Sequence, residues 1–219
     1  MKFNFQDFLQ NQKQEKYFQN IEYKINQNIS KITPKIENIY NAYDLDFDNL
    51  KVIIIGQDPY YQPLVADGLA FSSKLNKTPS SLKNIFKEIQ NCYPESTFET
   101  NSLRYWKQQG VLLLNTYLTT FENEALACKD WNWDIFVLSS IKQICQNHKN
   151  IVFLLLGNFA QKFIKPVEKQ YPNNLFLKTS HPSGLSCYRG FIGSNIFKQA
   201  NNYLIQKNKN PIDWSTKLI

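Results

Sequence analysis

Histidine and glycine are scarce in this 219-residue chain, with two of the first and seven of the second. Neither GxGxxG nor GxxxxGKS/T occurs. That excludes the glycine-rich loops that cradle the phosphates of dinucleotides and nucleoside triphosphates. GxSxG is missing as well, which removes the nucleophile elbow of a Ser/His/Asp hydrolase. The four cysteines, Cys92, Cys128, Cys145 and Cys187, form no CxxC pair and have no histidine pattern beside them. They argue against a zinc site and read as buried or incidental thiols in a reducing cytosol. No apolar run approaches the ~20 residues that a membrane span needs, and KFNFQDFLQNQKQ after Met1 is too polar for a signal peptide. The expectation is a cytoplasmic protein with no metal, no cofactor and no membrane contact.

The residues that are present suit a folded unit. A hydrophobic content of 42% supports a substantial core, so residues 1–219 are expected to form a single domain, with an N-terminal helical segment of about 1–44 packed on it. The formal charge of +7, from 25 Lys and Arg against 18 Asp and Glu, favours an anionic partner such as nucleic acid, although a solvated Lys-rich surface would carry the same excess. Phe5, Phe8, Leu9, Phe18, Ile21 and Ile25 recur at helical spacing, and Ile36 to Tyr43 reads as a further short helix after Pro34.

Four apolar runs then read as strands: Val52–Ile55, Gly110–Leu114, Ile151–Leu156 and Leu175–Lys178. Helical segments lie between them, one opening at Thr78-Pro79-Ser80-Ser81, the others spanning Trp133–Asn147 and Ala160–Lys169. Alternating strands and helices imply a three-layer α/β sandwich with a central parallel sheet flanked by helices. Ligands of such sheets gather beyond the carboxyl ends of the strands. Asp58, Asn115, Asn158 and His181 each follow such an end and are expected to converge. His148, in the polar stretch Asn-His-Lys-Asn, reads as an ordinary solvated residue. A carboxylate, an amide, an imidazole and several rings suit a planar ligand with amide-like edges, and a nucleobase fits because Asn can read a donor and acceptor edge with two bonds.

The stretches GQDPYY, GLAFSS, GVLLLNTYLT, VFLLLGN and HPSGLSCYRGFIGSNIF, followed by PIDW, resemble family 1 uracil-DNA glycosylase from about Asn41 to Trp214. The resemblance implies a four-stranded parallel sheet and an enzyme that flips uracil out of DNA and hydrolyses its N-glycosidic bond. It implies that Asp58 orients water and stabilises the sugar, and that His181 donates to uracil O2. Asn115 would read the N3 and O4 edge, Phe71 would stack on the base, Tyr60 would exclude the thymine methyl, and Gln57 would offer its backbone N–H. Leu185 matches the family's apolar wedge. Ser81, Ser183 and Ser186 match its phosphate-gripping serines, Gly157-Asn158 its Gly-Ser loop, and Arg189 would add positive charge. The partners implied are uracil-containing DNA, single- or double-stranded, and a proteinaceous DNA-mimic inhibitor; the sequence itself gives no strong sign of oligomerisation, and a monomer is expected.

Several family histidines are replaced: Tyr61, Asp67, Phe159 and Tyr188 stand where they are common, and ALACKDWNW lacks the family's histidine-containing segment. Asp67 is expected to place a negative charge on the DNA face. The altered loops keep open a binding protein with little or no catalysis, and a different nucleotide-processing α/β enzyme is the other alternative.

Overall fold

The computed structural model describes residues 2–219, the side chain of Leu185 excepted. The polar N-terminal stretch folds as α1 (Phe5–Gln12), capped by the Asn4 side chain on the Asp7 N–H, and α2 (Lys16–Gln27). Apolar residues three and four apart give each helix one inward stripe, so Phe8, Phe18, Ile21 and Ile25 are buried. After β1 (Ile32–Thr33), the stretch expected to be one short helix forms two separate 3-10 turns instead, Ile36–Asn38 and Asn41–Tyr43. A helix this short is marginal because nucleation fixes several residues for one bond. Tertiary partners claim the polar groups of Asn41: its amide donates to the Asp67 carbonyl at 2.6 Å, and Lys107 donates to its carbonyl at 3.2 Å.

The chain continues through β2 (Val52–Gly56), α3 (Ser80–Cys92), α4 (Arg104–Gln108), β3 (Val111–Asn115) and β4 (Thr120–Phe121). Then come α5 (Trp133–Asn147), β5 (Val152–Leu156), α6 (Asn158–Gln170), β6 (Leu175–Thr179), a 3-10 turn at Gly184–Arg189 and α7 (Ile196–Gln206). Four strands form one parallel sheet in the order β3-β2-β5-β6, and helices flank it. The outcome matches the three-layer α/β sandwich that the alternating pattern implied. Strands β2, β3 and β5 are buried along their whole length, which is why they read as unbroken apolar runs. The edge strand β6 is only partly covered.

The antiparallel ribbon of β1 and β4, with Ile32 opposite Phe121, was not legible in the sequence, because two residues per strand show no period. PIDW closes the core. Trp214 packs edge-on against Trp106, with centroids 5.1 Å apart, and the Trp106 indole donates to the Ser215 carbonyl at 2.8 Å. His148 corrects the expectation of a solvated residue. It ends α5 half-buried, its Nε2 has no hydrogen-bond partner among the described residues, and burial holds its pKa below the ordinary value. No helix among the described residues is long and apolar enough to cross a membrane.

Candidate active site

Register sets the strand ends level: Gly56 pairs with Asn115, and Leu156 with Thr179. The loops that follow therefore leave from one edge. They enclose a cavity of about 220 Å³ lined by Gln57, Asp58, Tyr60, Phe71, Ser81, Asn115 and His181. That volume lies below the ~300–1,000 Å³ of drug-sized sites and suits a single ring. A larger depression of about 680 Å³ lies against Lys2–Gln6 and Asp44–Asp48, and none of the strand-end groups lines it.

Asn115, 6% exposed, ends β3 with its side chain inside the cavity. Its carboxamide makes no hydrogen bond among the described residues, so both the acceptor and the donor are available to a ligand. A Cβ on Gly56 would come within 2.2 Å of Asn115 Oδ1 and 3.0 Å of the Ala70 Cβ. Only glycine leaves room for the amide there.

Asp58 leaves β2 two residues later and accepts the Leu126 N–H at 2.9 Å. Burial pushes its pKa up, and the backbone N–H bonds of Leu126 and Asp58 oppose that rise. Leu126 itself lies in the left-handed region, at φ +59°.

Phe71 also lies in the left-handed region, at φ +64°, a strain of about 1–3 kcal/mol for a non-glycine residue. Its loop is overdetermined by Asp67, which accepts the Leu69 N–H at 3.1 Å and the Ser72 hydroxyl at 2.6 Å. The Ser72 oxygen in turn accepts the Leu103 N–H at 3.0 Å, and the Tyr60 hydroxyl donates to the Phe71 carbonyl at 3.4 Å. Asp67 is only 1% exposed, which corrects the expectation that it adds negative charge to an outer face. Its carboxylate turns inward because two donors of its own loop replace its water.

His181 follows β6, its ring 6.0 Å from that of Phe71. Its Nδ1 accepts the Ser183 N–H at 3.0 Å. That bond assigns the proton of the neutral imidazole to Nε2 and makes Nε2 a donor. Burial holds the pKa below its ordinary value, which favours the same neutral form. Behind the ring, Gly157 at φ +100° approaches so closely that a Cβ would meet the His181 Cβ at 2.9 Å.

A second depression of about 350 Å³ shares Gln57 and His181 with the first and is lined by Gly157, Asn158 and Ser183. Asn158, the fourth strand-end residue, thus stands beside the cavity and not in it. The Ser183 and Ser186 hydroxyls are 3.0 Å apart, and that of Ser186 also donates into the turn, to the His181 carbonyl at 3.0 Å. Arg189 is exposed at the end of the 3-10 turn. The backbone of Leu185 is in that turn, and its side chain lies outside the described residues.

Of the remaining departures, Tyr61 is exposed and its carbonyl accepts the Asn123 N–H at 2.7 Å. Phe159 lies against Tyr117 with centroids 6.0 Å apart, and Tyr188, 69% exposed, carries the Lys87 ammonium 5.8 Å from its ring centroid. Sequence reasoning missed Gly56 and the N–H groups of Leu126 and Ser183; it singled out Gly157 and Asp67, but not the approach of the first to His181 or the inward bonds of the second. Gly56 alone had a signal, as the residue that ends an apolar strand run just before a polar loop.

The family model of the uracil DNA glycosylase superfamily matches residues 44–205. The uracil-DNA glycosylase of Borrelia hermsii is 46% identical over 186 residues, covering 84% of this chain and 82% of that protein. That of Mycoplasmopsis pulmonis is 41% identical, covering 95% of each. Among solved structures, a mimivirus UNG variant in complex with UGI superposes with a TM-score of 0.87 at 27% identity, covering 98% of this chain and 89% of that one. A match over most of the chain by family model, sequence and fold together leaves one conclusion: the chain belongs to the uracil DNA glycosylase superfamily.

Proposed function

We infer that this protein is a DNA repair enzyme, a uracil-DNA glycosylase that turns uracil out of DNA and hydrolyses its N-glycosidic bond, leaving an abasic site and free uracil. The observation that supports this reading most is the unbonded Asn115 carboxamide, facing one small cavity together with Asp58, Phe71 and His181. Uracil presents an N3–H donor beside an O4 acceptor, and an amide meets both. Cytosine reverses that polarity, leaving buried groups opposed. Phe71 supplies a face for stacking, Tyr60 fills the space beside the ring where thymine carries a methyl, and the Gln57 N–H borders the base.

As the glycosidic bond breaks, its electron pair leaves with the base and positive charge grows on the sugar. His181 Nε2–H donates to O2, where negative charge collects, and the Asp58 carboxylate faces the opposite charge and orients the attacking water. The water oxygen bonds to the sugar carbon, and its proton goes to the departing base by way of solvent. Preplaced groups of this kind act without reorganising during the reaction.

A base inside a duplex must be extruded before any of this occurs. Ser81 at the base cavity, Gly157, Asn158 and Ser183 at the neighbouring depression, and Ser186 and Arg189 in the adjoining turn suit backbone contacts, which position without reading sequence. Leu185 is proposed as the wedge that occupies the vacated stack. The net charge of +7 favours DNA of either strandedness. The mimivirus complex with UGI supports a proteinaceous DNA-mimic inhibitor as a second partner. The same reading has residues 1–219 act as one unit, a cytoplasmic monomer; the four free thiols suit a reducing compartment.

The test is an assay of oligonucleotides carrying uracil, thymine or cytosine at one position. Free uracil alone should be released, and no release at high enzyme would overturn the reading in favour of a binding protein. Two variants probe the cavity wall. Tyr60→Ala should begin to release thymine, and a variant that still ignores thymine removes the steric role of the ring. Gly56→Ala should displace the Asn115 amide by about 1 Å and lower the rate on uracil roughly 10²-fold, since misplacement on that scale has such an effect. An unchanged rate would show that the amide is not required where it stands.

A further inference from the structure

Glu88 is a carboxylate with 0% exposure in the middle of α3, and no step above uses it. Burying a carboxylate is unfavourable unless partners replace its water. Among the described residues no Lys, Arg or His forms an ion pair with it. Its partners belong mainly to one loop. Oε2 accepts the Gly193 N–H at 2.6 Å; Oε1 accepts the Asn195 N–H at 2.7 Å and the Ser194 hydroxyl at 3.3 Å. Three consecutive residues are thereby gathered on one side chain, and α3 itself adds the Asn91 amide on Oε2 at 3.2 Å and the Cys92 thiol on Oε1 at 3.9 Å.

The same helix grips the other side of that loop. Asn84 stands four residues before Glu88 and so on the same helix face. Its Nδ2 donates to the Pro182 carbonyl at 2.7 Å. Between these two tethers runs the turn Gly184–Arg189, exposed at Gly184, Tyr188 and Arg189 and anchored inward by Cys187 and Phe191. At its start, α3 also lends Ser81 to the base cavity. One rigid helix therefore fixes the distance between the cavity and the turn that must meet the rest of the duplex.

We propose that Glu88, with Asn84, is a positioning residue that holds the Pro182–Asn195 segment at the spacing from the base cavity needed to part a DNA duplex. This rests on the glycosylase reading. Extrusion from a paired, stacked duplex needs the turn in place, whereas a base in a single strand is already largely free to enter. The chemistry at Asp58 and His181 is the same in both cases. Loss of a tether should therefore separate the two substrates.

The experiment compares uracil release from one oligonucleotide, single-stranded and annealed, by wild type, Glu88→Gln and Asn84→Ala. Glu88→Gln keeps the volume but puts an amide donor where a loop N–H needs an acceptor. Asn84→Ala removes the Pro182 tether and disturbs no buried carboxylate. Both variants should stay within about threefold of wild type on the single strand and lose roughly 10- to 100-fold in kcat/KM on the duplex. Equal loss on both substrates, or loss on neither, overturns the proposal. If Glu88→Gln fails to fold, Asn84→Ala decides by the same criterion. Wild type inactive on both substrates would instead overturn the function itself.

Discussion

Replacing His181 by leucine should slow uracil release by about 10²–10³-fold, the effect of removing one preplaced oxyanion donor. The size follows from where the bond acts. O2 carries little charge in the bound base and much more as the glycosidic bond breaks, so the Nε2–H bond strengthens in the transition state. The structure prepares that donor twice over: the Ser183 N–H occupies Nδ1, and burial favours the neutral ring. Leucine keeps an apolar body against Gly157 and removes the Nε2–H donor together with the Nδ1 acceptor of the Ser183 N–H. Single-turnover rates should fall while substrate affinity changes little, because the lost interaction is stronger in the transition state than in the ground state. A loss below tenfold would mean that another group stabilises the departing base.

Asp58→Asn should be comparably severe, about 10²–10⁴-fold, the range for a positioned acid or base group. Asparagine fills the same space and can still accept the Leu126 N–H, so the change isolates charge from shape. The pH profile gives the second readout. Burial raises the Asp58 pKa above the ordinary carboxylate value, and the reaction needs the ionised form. Activity should therefore be present at neutral pH and fall as the pH drops through that raised value. The His181 pKa is shifted in the opposite direction. It is depressed, so the neutral donor form persists further into acid than an ordinary histidine would allow. In Asp58→Asn the residual activity should lose the carboxylate part of the acid limb and keep only the decline from His181 protonation. A variant whose acid limb is unchanged would show that another group titrates there.

The departures from the family's histidines divide by their surroundings. Asp67 is tied into the loop that strains Phe71, so a one-residue change alters how that ring is held and not the outer charge. Tyr188 and Tyr61 face solvent, where a histidine would have added a titratable group. None of these positions disturbs the Asp58, Asn115 and His181 set.

Much of the fold was legible because its strands are buried on both faces. Val52–Ile55 and Ile151–Leu156 have no polar alternation, and that is the pattern of a covered parallel sheet. The position of Asp58, Asn115 and His181 beyond strand ends followed from the same runs. What distance along the chain cannot encode is contact across it. Leu126 reaches Asp58 over 68 residues, and Glu88 gathers Gly193 to Asn195 over more than 100. The chain by itself determined which elements form and on which edge the chemistry lies, since hydrophobic period and strand ends are local. Only the tertiary structure decided how each group is aimed: the free amide over Gly56, the imidazole proton on Nε2, and the carboxylate of Asp67 turned inward. Those depend on close approach between distant backbones, where space and hydrogen-bond donors are settled by packing.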